Sequence, residues 1–481
     1  MWVAAGLSLN GFGAAGGMGR ALAGWMTADD PGLDVYGFRP WRFGATYRDP
    51  RYVAETAREA YRYYYRLRYP QDSDTAGRPR RLSPLHERLQ EAGAVFGTKH
   101  GWERAEHLEP GRPWRMAGED QRAYGWSRPP WLEPVAEEHR AVRDRVGLID
   151  LTSFGKIEVS GPAALSLLQR VATADLDGPV GSVVYTQWLD GHAGMVADVT
   201  VVRLAGDRFR VVTGAGYAAS DLGWLRLHLR DAESVQLRDA SDELTCLGLW
   251  GPAARDVLGA VTDDDVSNPG FPPRTAATLQ VGGGEVLAQR ISYAGELGWE
   301  LYVEPAWAVQ LWDRLMRAGH DHGVAVFGYR ALDSLRIEKG YRYYGIDLTM
   351  RETPLEAGLS RFVAWDKPDF VGKEALVARR EAGPPAMRLR SVTISDRAAD
   401  AADADWLPVY GGEAVRVGGE VVSRLRSVTY GHSLRRMVGY VYLPTHLTVG
   451  DEVEIEVFGR IVRGTVSPDV LVDPGGERMR A

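Results

Sequence analysis

The chain has 481 residues, 45% apolar and 25% charged, the balance of a soluble globular protein with enough chain for several buried cores. Its 57 Lys and Arg against 64 Asp and Glu give a formal charge of −7, which argues against a nucleic-acid binder, and the single cysteine, Cys246, excludes an intrachain disulfide framework and an all-cysteine metal site. No run approaches the ~20 apolar residues that cross a bilayer. The apolar N-terminus lacks a basic stretch and is broken by Asn10 and a series of glycines, so a cytoplasmic protein is expected rather than a secreted one.

Trp2–Ala5 predicts a short strand, followed by Gly11-Phe-Gly13-Ala-Ala-Gly16 and a helix to about Met26. G-x-G-x-x-G between strand and helix is the pattern of a dinucleotide-binding turn, in which backbone N–H groups cradle a pyrophosphate. However, no second aliphatic strand and no βαβ series follow it, which favours a glycine-rich strand–turn–helix packed against another element. Tyr61-Arg-Tyr-Tyr-Tyr-Arg-Leu-Arg-Tyr69 predicts a helix with one aromatic and one arginine face. Pro79, Pro84, Pro113, Pro129 and Pro130 predict short helices and long loops around it.

Glu137–Val146 reads as helix and Gly155–Ser160 as strand, with a helix opening at Gly161-Pro. The theme returns as strand Leu244–Trp250 and helix Gly251-Pro to Leu258, which points to a duplicated α+β module. Residues 381–406 look like a linker carrying one strand, Leu389–Ile394. Beyond Leu407, short alternating strands at Glu413–Val417, Glu420–Ser423, Gly439–Leu443 and Glu452–Val457 predict a small antiparallel barrel or sandwich.

Candidate chemistry lies in carboxylates at strand ends. His320-Asp-His322 is the only close histidine pair and precedes Gly323, where a helix end favours a cation, so it does not read as a metal site. Cys246 sits in an apolar strand as a packed thiol. Asp198 lies in the apolar stretch Met195–Val202 after the turn Asp190–Gly194; a carboxylate inside a strand needs a partner, such as Arg203, or a function. Glu296 and Glu300 bracket a tight turn at Gly295 and Gly298, either as solvated acids of a hairpin or as ligand acceptors. Gly328-Tyr-Arg330 opens an amphipathic helix closing at Gly340, whose charges can pair at i,i+3 and i,i+4.

Taken in order, Tyr185–Asp198, Arg203 with Asp207-Arg-Phe, Leu249-Trp-Gly-Pro, Tyr293-Ala-Gly-Glu-Leu-Gly-Trp-Glu300, Gly328–Gly340, Thr353–Leu359 and Lys367–Leu376 resemble the folate-dependent aminomethyltransferases typified by the glycine-cleavage T-protein. The resemblance runs from about Pro134 to the C-terminus. Leu82-Ser-Pro-Leu-His-Glu-Arg-Leu, Gly93–Gly97 and Gly101-Trp-Glu-Arg104 are similar to the connecting region of the dimethylglycine and sarcosine dehydrogenases, in which a flavin domain precedes the folate module. Residues 1–26 are similar only to the last strand and helix of that flavin domain.

The resemblance implies an α+β, three-lobed fold around a central folate hole: two α+β modules plus a C-terminal antiparallel β-barrel, behind an N-terminal remnant of an FAD-oxidoreductase domain. The expected boundaries are 1–45 for the remnant, 46–133 for the connecting region, 134–380 for the folate-binding domain and 381–481 for the barrel. It implies tetrahydrofolate as cofactor and one-carbon transfer from an N-methyl amine to give 5,10-methylenetetrahydrofolate. FAD would enter only through a separate flavin subunit, with no nucleic-acid or membrane partner.

It also implies Asp198 as the catalytic carboxylate beside the folate nitrogens, Tyr293 and Glu300 as pterin contacts, Tyr185 as a further wall of the site, and Arg330 as a cation for folate's anionic tail. The family's Gly-Gly turn before the aspartate is Ala193-Gly194 in this sequence. Two alternatives stay open: a flavin-independent demethylase moving an intact methyl group, and a non-catalytic folate-binding module. The group of that last kind that assists iron–sulfur assembly carries a Lys-Gly-Cys motif, and Lys339-Gly-Tyr341 lacks its cysteine.

Overall fold

A computed structural model describes residues 3–7, 10–28, 31–32, 35–65, 72–118, 126–395 and 407–481. At the N-terminus the expectation is corrected. Val3–Ala5 has no regular structure, because a strand needs a partner and none pairs with it among the described residues; Trp2 lies outside them. The glycines of the G-x-G-x-x-G run form the first turns of helix α1 (Gly11–Ala28), in which only Ala21 is buried and Phe12 is fully exposed. They are therefore the opening turns of an exposed helix, and no strand precedes them among the described residues to make the strand–turn–helix of a dinucleotide site.

Helix α2 (Pro50–Arg62) starts well before Tyr61 because Asp49 caps it, accepting from the backbone N–H of Arg51 at 2.9 Å, with Pro50 preset for the first turn. It ends where the aromatic run was expected to be helical: Tyr63–Tyr65 form a turn, and Arg66–Tyr69 lie outside the described residues.

Helix α3 (His86–Glu91) leads into a three-stranded sheet of β1 (Ala94–Lys99), β2 (Trp102–Leu108) and β3 (Arg115–Met116), ordered β2-β1-β3. Helix α4 (Leu132–Asp144) follows. It stops short of Val146, which instead opens strand β4 (Val146–Asp150).

The two modules repeat one topology. In the first, β5 (Gly155–Ser160) leads through α5 (Ala164–Val171) to the meander β6 (Val183–Leu189), β7 (Met195–Ala205) and β8 (Arg208–Thr213), and β8 returns to pair with β5. Helix α6 (Ala218–Leu227) and edge strand β9 (Gln236–Asp239) complete the order β6-β7-β8-β5-β9. In the second, β10 (Thr245–Trp250) leads through α7 (Ala254–Gly259) to β11 (Ala276–Val281), β12 (Gly284–Gln289) and β13 (Gly298–Val303), and β13 returns to β10. Helix α8 (Pro305–Ala318), strand β14 (Val324–Val326) and helix α9 (Tyr329–Glu338) follow, giving the order β11-β12-β13-β10-β4-β14.

Side-chain alternation sets the sheet faces. In β5, Ile157 and Val159 are fully buried while Glu158 pairs across the ladder with Arg210 at 2.7 Å. Lys156 breaks the pattern: its buried ammonium donates to the carbonyls of Thr152 and Ser241 at 2.7 and 3.0 Å.

Helix α10 (Lys373–Glu381) precedes a closed six-stranded barrel ordered β15-β18-β17-β16-β19-β20, which decides for barrel over sandwich. Its strands are β15 (Met387–Ser395), β16 (Ala414–Val417), β17 (Glu420–Gly431), β18 (Arg436–Pro444), β19 (Glu452–Val457) and β20 (Arg460–Ser467). Strand β17 runs past the expected Ser423 through a bulge between Leu425 and Val428. Strand β20 was not expected. It follows β19 through Phe458-Gly459, both at positive φ (+49° and +77°), as the two-residue hairpin turn requires.

A buried ionic lattice ties the lobes together. Arg143 of α4 reaches Glu296 at 2.6 Å and Glu338 of α9 at 3.1 Å; Arg478 of the C-terminal segment also pairs with Glu296 at 2.7 Å. Glu296 is thus no solvated turn acid. Burial works against the Glu338 charge, yet His139 and Arg143 hold its carboxyl down at about 2.

Candidate functional site

Where both modules, the connecting sheet and the barrel meet, they enclose a cavity of about 500 Å³, and Tyr185, Asp198, Tyr293, Glu300 and Arg330 all line it. That volume lies in the usual range of small-molecule sites.

The β6–β7 hairpin supplies two of them. In its turn the Asp190 carboxylate accepts from the N–H groups of His192 and Gly194 at 2.9 and 2.8 Å. Ala193 sits at φ +68°, a left-handed conformation that suits glycine; the methyl group in its place is fully buried in an apolar cluster. Gln187 lies directly opposite Asp198, so the Tyr185 side chain meets Asp198 diagonally on the same face. Its hydroxyl donates to Asp198 Oδ2 at 2.9 Å. Arg203 is not the partner: it pairs with Asp177 at 2.8 Å. Burial pushes the Asp198 carboxyl up to about 6, against the stabilising pull of Tyr185.

Removing that donor should raise it further. Tyr185→Phe is expected to raise the Asp198 carboxyl by about one pH unit, the worth of one hydrogen bond to a charged group. A pH titration of the carboxyl band by difference infrared spectroscopy that shows no upward move would contradict this.

Strand β13 and the loop before it carry the next two. Gly298 has φ +153°, and a Cβ there would stand 1.9 Å from the carbonyl oxygen of Leu249, so only glycine can start this strand against β10. Two residues on, Glu300 faces the cavity opposite Gly248 of β10. Tyr302 donates to Glu300 Oε2 at 2.7 Å, and burial raises the Glu300 carboxyl to about 7. Tyr293 donates its hydroxyl to the Arg342 carbonyl at 2.7 Å and stacks on Tyr341 with ring centroids 5.6 Å apart. Its ring is thereby fixed as a flat wall.

Arg330, in the first turn of α9, lies with its guanidinium 4.3 Å from the Trp131 ring and its Nε 3.5 Å from Glu106 of β2. Its charge is already partly answered within the protein. The sequence reading missed the residues around it: Lys99, Arg104 and Glu106, contributed by the connecting sheet. It also missed Arg336, which pairs with Asp333 at 2.7 Å and with the fully buried Asp347 at 2.8 Å. Gly101-Trp-Glu-Arg104 was the available signal, noted for its resemblance but not for its chemistry.

Among the described residues no cluster of His, Cys, Asp and Glu can hold a metal ion, and no helix is long and apolar enough to cross a membrane. His320 is exposed beside Asp321, and the Cys246 thiol is buried, with its pKa raised by that burial.

The comparisons agree with this architecture. Residues 85–367 match the GCVT N-terminal domain, 400–473 the glycine cleavage T-protein C-terminal barrel domain, and 29–83 the FAD dependent oxidoreductase central domain. The 4-methylaminobutanoate oxidase (formaldehyde-forming) of Paenarthrobacter nicotinovorans is 36% identical over all of this chain and 57% of its own length. The mitochondrial dimethylglycine dehydrogenase of Homo sapiens is 34% identical over all of this chain and 54% of its own. The chain therefore spans about half the length of these curated relatives. The crystal structure of the glycine cleavage aminomethyltransferase T from Bartonella henselae superposes with a TM-score of 0.69 at 25% identity, covering 82% of this chain and 99% of that one. With both T-protein domains matched in order and the fold shared, the chain belongs to the glycine-cleavage T-protein (aminomethyltransferase) family, in the branch that carries an FAD-oxidoreductase central domain ahead of it.

Proposed function

We propose that this chain binds tetrahydrofolate in the central cavity and passes to it the one-carbon unit of an oxidised N-methyl amine, forming 5,10-methylenetetrahydrofolate. The observation that carries the reading is the pair of partly buried carboxylates on the cavity wall, Asp198 and Glu300, both raised toward neutral pH by desolvation. The donor set suits folate: Glu300 can accept N–H groups of an aminopyrimidine edge, and Tyr293, backed by Tyr341, offers a flat face to a ring.

Tetrahydrofolate supplies the two nitrogens that take up the carbon; with a methylene iminium the products are 5,10-methylenetetrahydrofolate and the amine as its ammonium, so two protons pass from folate to the leaving amine. Asp198 is suited to move a proton on that path. With a carboxyl near 6 it is mostly ionised at pH 7, ready to accept, and still able to return the proton. Tyr185 fixes its orientation. The Asp198 carboxylate also stabilises cationic charge developing next to it.

The iminium would come from a flavoprotein partner. The match of residues 29–83 to an FAD-oxidoreductase domain supports such a partner, and the relatives' names, an oxidase and a dehydrogenase of N-methyl amines, support the donor class. FAD does not fit the Gly11–Gly16 run, which opens an exposed helix with no strand ahead of it among the described residues, and no step is assigned to it on this chain.

The test supplies the chain with tetrahydrofolate and an N-methyl amine oxidised in situ by a flavin-dependent oxidase. Accumulation of 5,10-methylenetetrahydrofolate faster than from free formaldehyde supports the reading. Formation of 5-methyltetrahydrofolate without the oxidase replaces it with direct methyl transfer.

A further inference from the structure

We propose that Lys99 and Arg104, at the end of β1 and within β2, form a seat for the carboxylates of folate's glutamyl tail, a role expected from the sequence to fall on Arg330. This rests on the folate reading of the cavity.

Both side chains line the cavity. Arg104 makes no hydrogen bond and no ion pair among the described residues, and its Nε is buried without a partner. What holds it is an aromatic ring: its guanidinium carbon lies 3.2 Å from the centroid of Tyr329, whose hydroxyl is itself tied to Ser153 at 3.2 Å. The ring fixes the fork without neutralising it. Lys99 likewise makes no ion pair among the described residues.

Glu106 of β2 lies 3.5 Å from Arg330 Nε, an ion pair without a hydrogen bond at that nitrogen, and Asp333 of α9 pairs with Arg336. Among these cavity-lining charges, Lys99 and Arg104 are the two left without an ion pair among the described residues. Nearby Arg81 is spent on Asp242. His100, on the turn between the two strands, reports the same surplus. Burial lowers its pKa to about 4, and the charges of Lys99, Arg104 and Arg81 add to the effect.

A guanidinium that is preorganised, partly desolvated and left without an anion is a carboxylate receptor in waiting, because its planar fork matches two oxygens at once. The pterin-suited groups of β7 and β13 line the same cavity. A ligand with a neutral, N–H-rich head and an anionic tail finds both acceptors and unpaired cations within it.

The test titrates the full chain with 5-formyltetrahydrofolate, with its uncharged-tail analogue 5-formyltetrahydropteroyl amide, in which a carboxamide replaces the glutamate, with p-aminobenzoyl-glutamate and with sarcosine. Wild type is expected to bind the glutamate-bearing folate at least about tenfold tighter than the pteroyl amide. Arg104→Gln should remove about tenfold or more from the folate affinity and leave that of the pteroyl amide unchanged, with Lys99→Gln acting in the same direction. Arg104→Lys, which keeps the charge and loses the fork, should fall between, and a thermal melt confirms that each variant is folded. Equal losses for both ligands, or none, would overturn the seat. If wild type binds neither pterin ligand, the folate reading fails by itself; Arg104-dependent binding of p-aminobenzoyl-glutamate would still uphold the seat. Arg104-dependent binding of sarcosine with unchanged folate affinity would overturn it as a tail site and transfer the carboxylate to the amine donor.

Discussion

Replacing Asp198 with asparagine is expected to lower the rate of 5,10-methylenetetrahydrofolate formation by about 10²–10⁴-fold, the usual contribution of a positioned acid–base group. Asparagine keeps the shape, and its carbonyl can still accept the Tyr185 hydroxyl, so the hairpin and the cavity should persist. What is lost is the ability to take up and release a proton near neutral pH. Folate affinity should change only a few-fold, because the assigned role lies in the transition state and not in ground-state binding. Wild type should lose activity as pH falls through about 6, where Asp198 becomes protonated, and the residual activity of the variant should lose that limb. A variant with near-wild-type turnover would remove Asp198 from the chemistry.

The second large effect concerns binding. Glu300→Gln is expected to weaken folate binding by about 30–1,000-fold, because one carboxylate oxygen becomes an amide N–H pointing at ligand N–H donors, and a buried donor without an acceptor costs its full desolvation. The pH sign follows from the raised carboxyl. Below about 7 Glu300 is protonated and loses acceptor capacity, so wild-type affinity should fall by up to about tenfold per pH unit beneath that point. The glutamine variant should be flat over the same range. Isothermal titration at pH 6, 7 and 8 reads both effects.

The unliganded protein bears a cost for this arrangement. A carboxyl raised above its unfolded value contributes stability at low pH that disappears as pH rises through the folded value. Asp198 and Glu300 therefore both weigh against folding at pH 8. Ligand groups that satisfy them offset that cost.

Much of this was legible in the sequence because it is local. The β5 and β10 strands announce themselves by alternating or apolar runs ended by Gly-Pro, and Asp198 stands out as a charge inside an apolar strand. The five site residues drawn from the family resemblance all reach one cavity.

What escaped depends on contacts between distant segments. Arg330 looks free in the sequence, but Glu106, far upstream, sits beside it in space. Glu296 looks like a turn acid, yet Arg143 and Arg478, from two segments distant in the chain, pair with it where it is buried. Strand β20 was hidden because Phe458 gives no sign that it will adopt a left-handed turn conformation. The strand expected ahead of the glycine run failed for a related reason: a strand needs a partner, and sequence spacing alone does not supply one.

The central claim is that the cavity between the modules is a reduced-folate site. It is tested most directly by titrating the purified chain with 5-formyltetrahydrofolate and following the quenching of its 15 tryptophans, with Glu300→Gln in parallel. The account predicts saturable binding by wild type at micromolar concentration and a loss of about 30-fold or more in the variant. Saturable binding that is indifferent to Glu300, or no binding by a folded wild-type chain, would contradict it.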